Sequence, residues 1–402
     1  MLSADRACRE TLAGFLSWLP LGEKRASART AGYCKARARL PQADLDRVHA
    51  GLARRVRSAH LGRGLWLGRA VKVADGSGLS MPDTPSNQKR YPQSKRLKKG
   101  CAFPVMRVTA LFCLATGVLI GLAKGPLSVG EGALFRTLWG LLEAGDVLLA
   151  DRGFCSFCEI CSLVKRGVDA VLRNHPRRTV GVTVLKRLGR RDHWVLWHKP
   201  RTRPDWVSPA DWDAVPATLT LRRIRFRAAV KAFRTREVTV VTTLLDPKAF
   251  PTKSFPELYR RRWQAELFLR DIKITTGMDI LRCKTPDMLH RELTMHLIGY
   301  NLVRLTMLEA ARDHDVPAER ISFKGALSLL RSWAPRFSGE GPDDPRALWS
   351  RLLDYLAGDP LPNRPNRVEP RARKRRPKNY QLLTQPRHEF KEIPHRSHYR
   401  KA

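Results

Sequence analysis

The most informative stretch of this 402-residue chain is Tyr259-Arg-Arg-Arg262-Trp263-Gln-Ala-Glu266, running on to Lys273. At about 100° per residue a helix brings Tyr259, Arg262, Glu266 and Lys273 to within roughly 60° of one direction, and Arg270 joins them. One carboxylate among an aromatic hydroxyl and several cations is poorly suited to a core-facing stripe. It suits a site that holds a metal ion beside phosphates. The same spacing also allows a plainer reading, because Arg262, Glu266 and Arg270 stand at i, i+4 and i+8, the pattern of an exposed ion-pair ladder.

Two further acids end apolar runs. Asp75 closes Val71-Lys-Val-Ala and precedes Gly76-Ser77-Gly78, while Asp151 closes Val147-Leu-Leu-Ala and precedes Arg152-Gly153. Three carboxylates converging from strands and a helix can hold two divalent cations about 3.5–4 Å apart, one activating the attacking oxygen and the other stabilising the leaving one. All-oxygen donors select Mg²⁺ or Mn²⁺ over zinc. Asp75, Asp151 and Glu266 are therefore the candidate catalytic and metal-binding residues. Taken singly, Asp75 could be a strand-end turn residue and Asp151 a helix cap. Asp83, in a proline-rich loop, and Asp146, at the start of its strand, are weaker rivals.

The elements that must position these acids follow from periodicity. Val71–Asp75 reads as a strand stopped by the glycines, and Val105–Ala115 with Val118–Ala123 as a hairpin around Thr116-Gly117. A helix over about Gly130–Glu143, a strand over Gly145–Asp151, a helix through Leu163 and a strand near Val168–Leu172 complete the series. Strand, hairpin, helix, strand, helix, strand is the order of an α/β ribonuclease-H-like fold, in which the first and fourth strands are neighbours. Asp75 and Asp151 would then meet at one edge.

Flanking segments set the organisation. Residues 1–66 read as a basic helical DNA-binding region, 67–177 as the first part of the core, and 178–246 as an all-β insertion. Residues 247–290 complete the core with the Glu266 helix, 291–360 are helical, and 361–402 form a basic tail centred on Arg371-Ala-Arg-Lys-Arg-Arg376, expected to be disordered without phosphate. The expected helices in the C-terminal region run from Thr285 through Arg312 and from Phe323 to Ala357.

A formal charge of +38 calls for a polyanionic partner, and nucleic acid fits better than a membrane surface. The longest apolar run, Val108–Ala123, is split by Thr116-Gly117 and falls short of the ~20 residues of a membrane span. With no signal-peptide pattern at the start, the expected location is cytoplasmic, on the nucleoid. Eight cysteines are read as reduced thiols. Cys155, Cys158 and Cys161 lack a fourth ligand nearby and are read as one buried helix face.

The chain resembles the insertion sequence 4 family of bacterial DDE transposases. The resemblance runs through Gly32-Tyr-Cys-Lys-Ala-Arg-Ala-Arg-Leu-Pro41, Asp75-Gly-Ser, Pro82-Asp-Thr-Pro-Ser-Asn87 and Ala150-Asp-Arg-Gly-Phe154. It continues in the Tyr-x2-Arg-x3-Glu-x6-Lys helix, Tyr300-Asn-Leu-Val-Arg304 and Pro377-Lys-Asn-Tyr380. It implies a cut-and-paste enzyme that binds terminal inverted repeats and cleaves and joins strands with divalent ions; since two ends must be joined and one subunit carries one triad, a homodimer on paired ends is expected. It also implies that Tyr259, Arg262 and Lys273 contact DNA backbone, with Arg270 on the same face. If a hairpin intermediate is used, Trp263 is the candidate stacking platform for an extruded base, the alternative being a core tryptophan. Two other functions stay open at this point: a transposase-derived DNA-binding protein that no longer cuts, and a structure-specific nuclease.

Overall fold

A single strand, β1 (Val71–Ser80), is the axis on which the molecule is assembled. The computed structural model describes residues 8–16, 29–98, 100–174, 182–227, 237–338, 344–362, 383 and 385–390. On one side β1 pairs antiparallel with β2 (Val105–Cys113), which pairs in turn with β3 (Leu119–Pro126). On the other it runs parallel to β4 (Val147–Ala150), and β4 parallel to β5 (Asp169–Arg173). The expected adjacency of the first and fourth strands is thus present. β4 is buried along its whole length, as a parallel strand covered on both faces must be.

Core residues divide between the two faces of the sheet. Val71, Val73 and Leu149 pack with Ala265, Phe268, Leu269 and Tyr300, from the Glu266 helix and the long helix Pro286–Asp313. Ala74, Leu148 and Ala150 pack with Leu134, Phe135, Ile160 and Leu163, from the helices Glu131–Arg136 and Phe157–Lys165 on the other face. The lower ends of the strands are tied by a fully buried Lys72–Asp146 pair at 3.2 Å and by Arg69–Asp169 at 2.7 Å. Asp146, the rival acid, also accepts from the Glu143 amide and is committed to structure.

Several expectations need correction. β1 does not stop at the glycines, because the antiparallel ladder with β2 continues through Asp75–Ser80, so the Asp-Gly-Ser-Gly run is strand. The helix from Gly130 is shorter, Glu131–Arg136, followed by a 3₁₀ turn at Trp139–Leu141. The Phe323–Ala357 helix is replaced by Phe323–Ser338 and Pro345–Gly358.

The insertion expected to be all-β also holds a helix, and its strands extend the core sheet. Strands β6 (Thr183–Gly189), β7 (Asp192–His198), β8 (Thr218–Arg227) and β9 (Glu237–Thr242) join the core through β9 and β5, giving one nine-stranded sheet in the order β3-β2-β1-β4-β5-β9-β8-β7-β6. A short helix, Pro209–Ala214, lies among them. Val171–Arg173 would otherwise present an unpaired edge, and Val240–Thr242 covers it. The central run of the basic tail, Arg371–Arg376, lies outside the described residues. No helix among the described residues is long and apolar enough to cross a membrane.

Candidate active site

Asp75 sits on β1 two residues past the last pair that β1 makes with β4, and Asp151 is the first residue beyond β4. Both follow buried residues in registered parallel strands, so both emerge at the same end of the sheet. Asp75 lies opposite Ala110 within the ladder and is not a turn residue. Asp151 precedes the 3₁₀ turn Arg152–Phe154, but its side chain caps nothing there. Over this end lies the third element. It is two helices in line, Ser254–Arg261 and Trp263–Arg270, joined at Arg262 and continued by a π-helical turn, Asp271–Thr275.

Arg262 is the electrostatic centre. Its guanidinium donates to Glu266 Oε1 at 3.1 Å, lies 5.8 Å from the Tyr259 ring centroid, and is within electrostatic reach of both Asp75 and Asp151. Burial works against its charge, yet Tyr259, Asp151 and Glu266 outweigh burial and raise its proton affinity. Asp75 has too little compensation. Burial first, then Glu266 and Glu131, push its carboxyl up to about 6 against the Gly76 amide, which donates at 2.9 Å, and against Arg262. Burial also raises the Tyr259 hydroxyl, helped by Asp151 and opposed by Arg262 and Arg173. The Tyr259 hydroxyl, Asp151 Oδ1 and Arg262 Nε are buried with no hydrogen-bond partner among the described residues. Unpaired buried polar atoms of this kind cost about 1–3 kcal/mol each.

The structure thus gathers Tyr259, Arg262, Glu266, Asp75 and Asp151. Lys273 belongs with them, because its Nζ donates at 2.8 Å to Ser77 Oγ, two residues past Asp75. Arg270 does not join this face as the helical spacing had implied. Its side chain is 61% exposed and turns to Asp271 at 3.2 Å, at the point where the α-helix gives way to the π turn. The extended ladder is therefore absent beyond its first rung, Arg262–Glu266. Trp263, 40% exposed, lines a cleft with Arg260, Arg270, Phe268, Arg304 and Lys324, on a flank where neither Arg262 nor Glu266 is found among the described residues.

Sequence reasoning missed Glu131. A Cβ on Gly76 would fall 2.5 Å from Glu131 Cδ, so this carboxylate lies directly against the backbone that follows Asp75. Glu131 opens its helix, where an acid reads as an ordinary dipole partner. The available signal was the glycine itself, a residue with no side chain next to a candidate catalytic acid. Other signature residues turn out to be scaffold. Tyr300 donates to Gly117 O at 2.7 Å, Arg304 to Thr116 O at 2.8 Å, and Asn301 both donates to and accepts from Leu119, so this motif clamps the β2–β3 turn. Asn87 is fully buried and bonds Pro82 O and Cys283 O.

Among the described residues no three His, Cys, Asp or Glu side chains stand close enough to hold an ion. Arg262 stands among the acids with Glu266 paired to it. In kind, the residues fit a divalent cation: the donors are all oxygens, Asp151 Oδ1 is orphaned, and Arg262 only partly compensates the burial of Asp75.

Residues 66–302, more than half of the chain, match the family described as Transposase DDE domain, and all three acids fall within the match. The chain belongs to the DDE transposases. It is similar to the Transposase InsG for insertion sequence element IS4 of Escherichia coli (strain K12), with 26% identity over 321 residues, 78% of this chain and 70% of that protein. It is also similar to the Putative transposase InsZ of the same strain, at 26% identity over 105 residues. That alignment takes in 26% of this chain and 35% of InsZ, so the chain spans about a third of that relative. Among solved structures it is similar to a piggyBac transposase synaptic complex with hairpin DNA, at a TM-score of 0.40 and 11% identity, covering 73% of this chain and 58% of that one.

Proposed function

We propose that this chain is a cut-and-paste transposase with a ribonuclease-H-like core, binding the terminal inverted repeats of its element and catalysing strand cleavage and strand transfer at Asp75, Asp151 and Glu266. The observation that carries the reading is the grouping of these acids around Arg262 at one end of adjacent parallel strands. Bound divalent ions, Mg²⁺ or Mn²⁺, would supply charge to activate the attacking oxygen and to stabilise the leaving one. Asp75, Asp151 and Glu266 would hold them. Arg262 has two mutually exclusive partners in this scheme, Glu266 in the protein alone and a backbone phosphate once DNA is present. Its transfer to phosphate frees Glu266 to close on the other acids. Tyr259 and Lys273 fix the scissile strand at the same end of the sheet. Residues 1–66 serve as the end-binding region and the basic C-terminal tail as an additional DNA contact.

A linear fragment carrying the element's inverted repeats, incubated with the protein and Mg²⁺ or Ca²⁺, tests the reading. Cleavage at the repeat ends in Mg²⁺, with binding but no cleavage in Ca²⁺, is expected. Binding without cleavage in Mg²⁺ would instead identify a DNA-binding derivative, and cleavage indifferent to the repeats a structure-specific nuclease.

A further inference from the structure

Strands β6, β7 and β8 carry a row of basic residues, Arg187, His193, Arg223 and Arg225, of which Arg225 alone has a carboxylate partner among the described residues. The register sets Arg187 opposite His193 and His193 opposite Arg223, so the three side chains leave one sheet face from neighbouring strands about 4.8 Å apart. Arg225, two residues past Arg223, shares that face. Arg187 and Arg225 are exposed, His193 and Arg223 half-buried. Arg187 and Arg223 thus flank His193 across about 10 Å, two like charges on one face.

The nearby acids are committed elsewhere. Asp192 is buried and receives Arg222 through bonds of 2.9 and 2.5 Å, and Glu237 reaches only Arg225, at 3.5 Å. No carboxylate among the described residues pairs with Arg187 or Arg223. Burial and then Arg223, Arg187 and Arg225 outweigh Asp192 and lower the proton affinity of His193, which leaves it a neutral hydrogen-bond donor between two guanidinium groups.

The face concerned is the one carrying Val195, Leu221 and Val241, whose cluster lies across the sheet from the Glu266 helix. The row is therefore separate from the acids. Three strands span about 10 Å, a length over which duplex DNA presents about six phosphates. A regularly charged polyanion would relieve repulsion that the protein does not relieve itself.

We propose that Arg187, His193, Arg223 and Arg225 form a phosphate-binding surface for DNA backbone, holding a segment other than the one at the acids. This rests on the DNA-processing function proposed above. The test uses the full chain and the double variant Arg187→Ala/Arg223→Ala, with binding to a long duplex of unrelated sequence measured over a range of KCl concentrations. The log–log salt slope should fall by about 1.8, two contacts at about 0.9 each. The thermal midpoint should hold or rise, because two like charges on one face have been removed. An unchanged slope with unchanged affinity would overturn the proposal, as would a reduced slope accompanied by a lower midpoint, which would make the row structural. Inorganic phosphate at matched ionic strength should not displace DNA from the wild type. Displacement that the double variant lacks would reassign the row to a small anion. If the wild type shows no salt-dependent DNA binding at all, the DNA-processing function fails with it.

Discussion

Arg262 is the side chain on which the proposed site turns, bonded to Glu266 and within electrostatic reach of Asp75 and Asp151. Replacing it with Ala removes the partner of Glu266 and a counter-charge for Asp75, and the variant should lose DNA affinity to cognate and unrelated ends by similar factors, with a salt slope lower by about 0.9. A loss confined to one base position would contradict the backbone role. Asp75 yields a pH prediction whose sign follows from its raised value. Because its folded value rises from 3.8 to about 6, the native state binds more protons in that window, and stability falls as pH rises through it. Asp75→Asn, which cannot ionise, should therefore match the wild type near pH 4 and exceed it above pH 6, by about 1–2 kcal/mol after screening. Urea unfolding across this range would show it, and a variant less stable at pH 7 would contradict the burial argument. Glu131→Gln should shift the Asp75 transition to lower pH. At this scale the acids were legible, since each ends an apolar run or sits at helical spacing. Glu131 and the turn of Arg270 were not, because both depend on contacts between elements that one-dimensional spacing does not contain.

Among the elements, the strands after β5 matter for what they anchor. Arg222 is fully buried, forms the bidentate pair with Asp192, and donates to Phe250 O at 2.6 Å on the segment that leads into the Tyr259 helix. Phe226 of β8 meets the Tyr259 ring at 6.2 Å. Arg222→Leu leaves Asp192 buried and unpaired, and should cost about 3–5 kcal/mol in equilibrium unfolding. A loss below 1 kcal/mol would show that the pair is solvated. The hairpin of β2 and β3 was readable from its Thr116-Gly117 turn, and the adjacency of β1 and β4 from the succession of strands and helices. That β9 would extend the same sheet was not, because pairing partners at an edge are chosen by tertiary contact, and the basic alternation of these strands suits a separate sheet equally well. The Tyr300–Arg304 motif was visible as a pattern, but its role as a clamp on the β2–β3 turn required the fold.

For the whole molecule, the charge of +38 governs assembly. Joining two ends of one element needs two sites, and a symmetric dimer is the commonest arrangement for a two-fold task. Self-repulsion should keep the protein monomeric or weakly dimeric until DNA neutralises it. Light scattering with and without end DNA would test this, and a stable dimer at physiological salt without DNA would contradict it. The central claim is that Asp75, Asp151 and Glu266 act as one cleavage site. Its most direct test is single-turnover cleavage of pre-bound end DNA in Mg²⁺ by the wild type and by Asp75→Asn, Asp151→Asn and Glu266→Gln, with binding measured on the same samples. All three variants are expected to bind the ends and to leave them uncut. Cleavage by any of them near the wild-type rate would contradict the assignment.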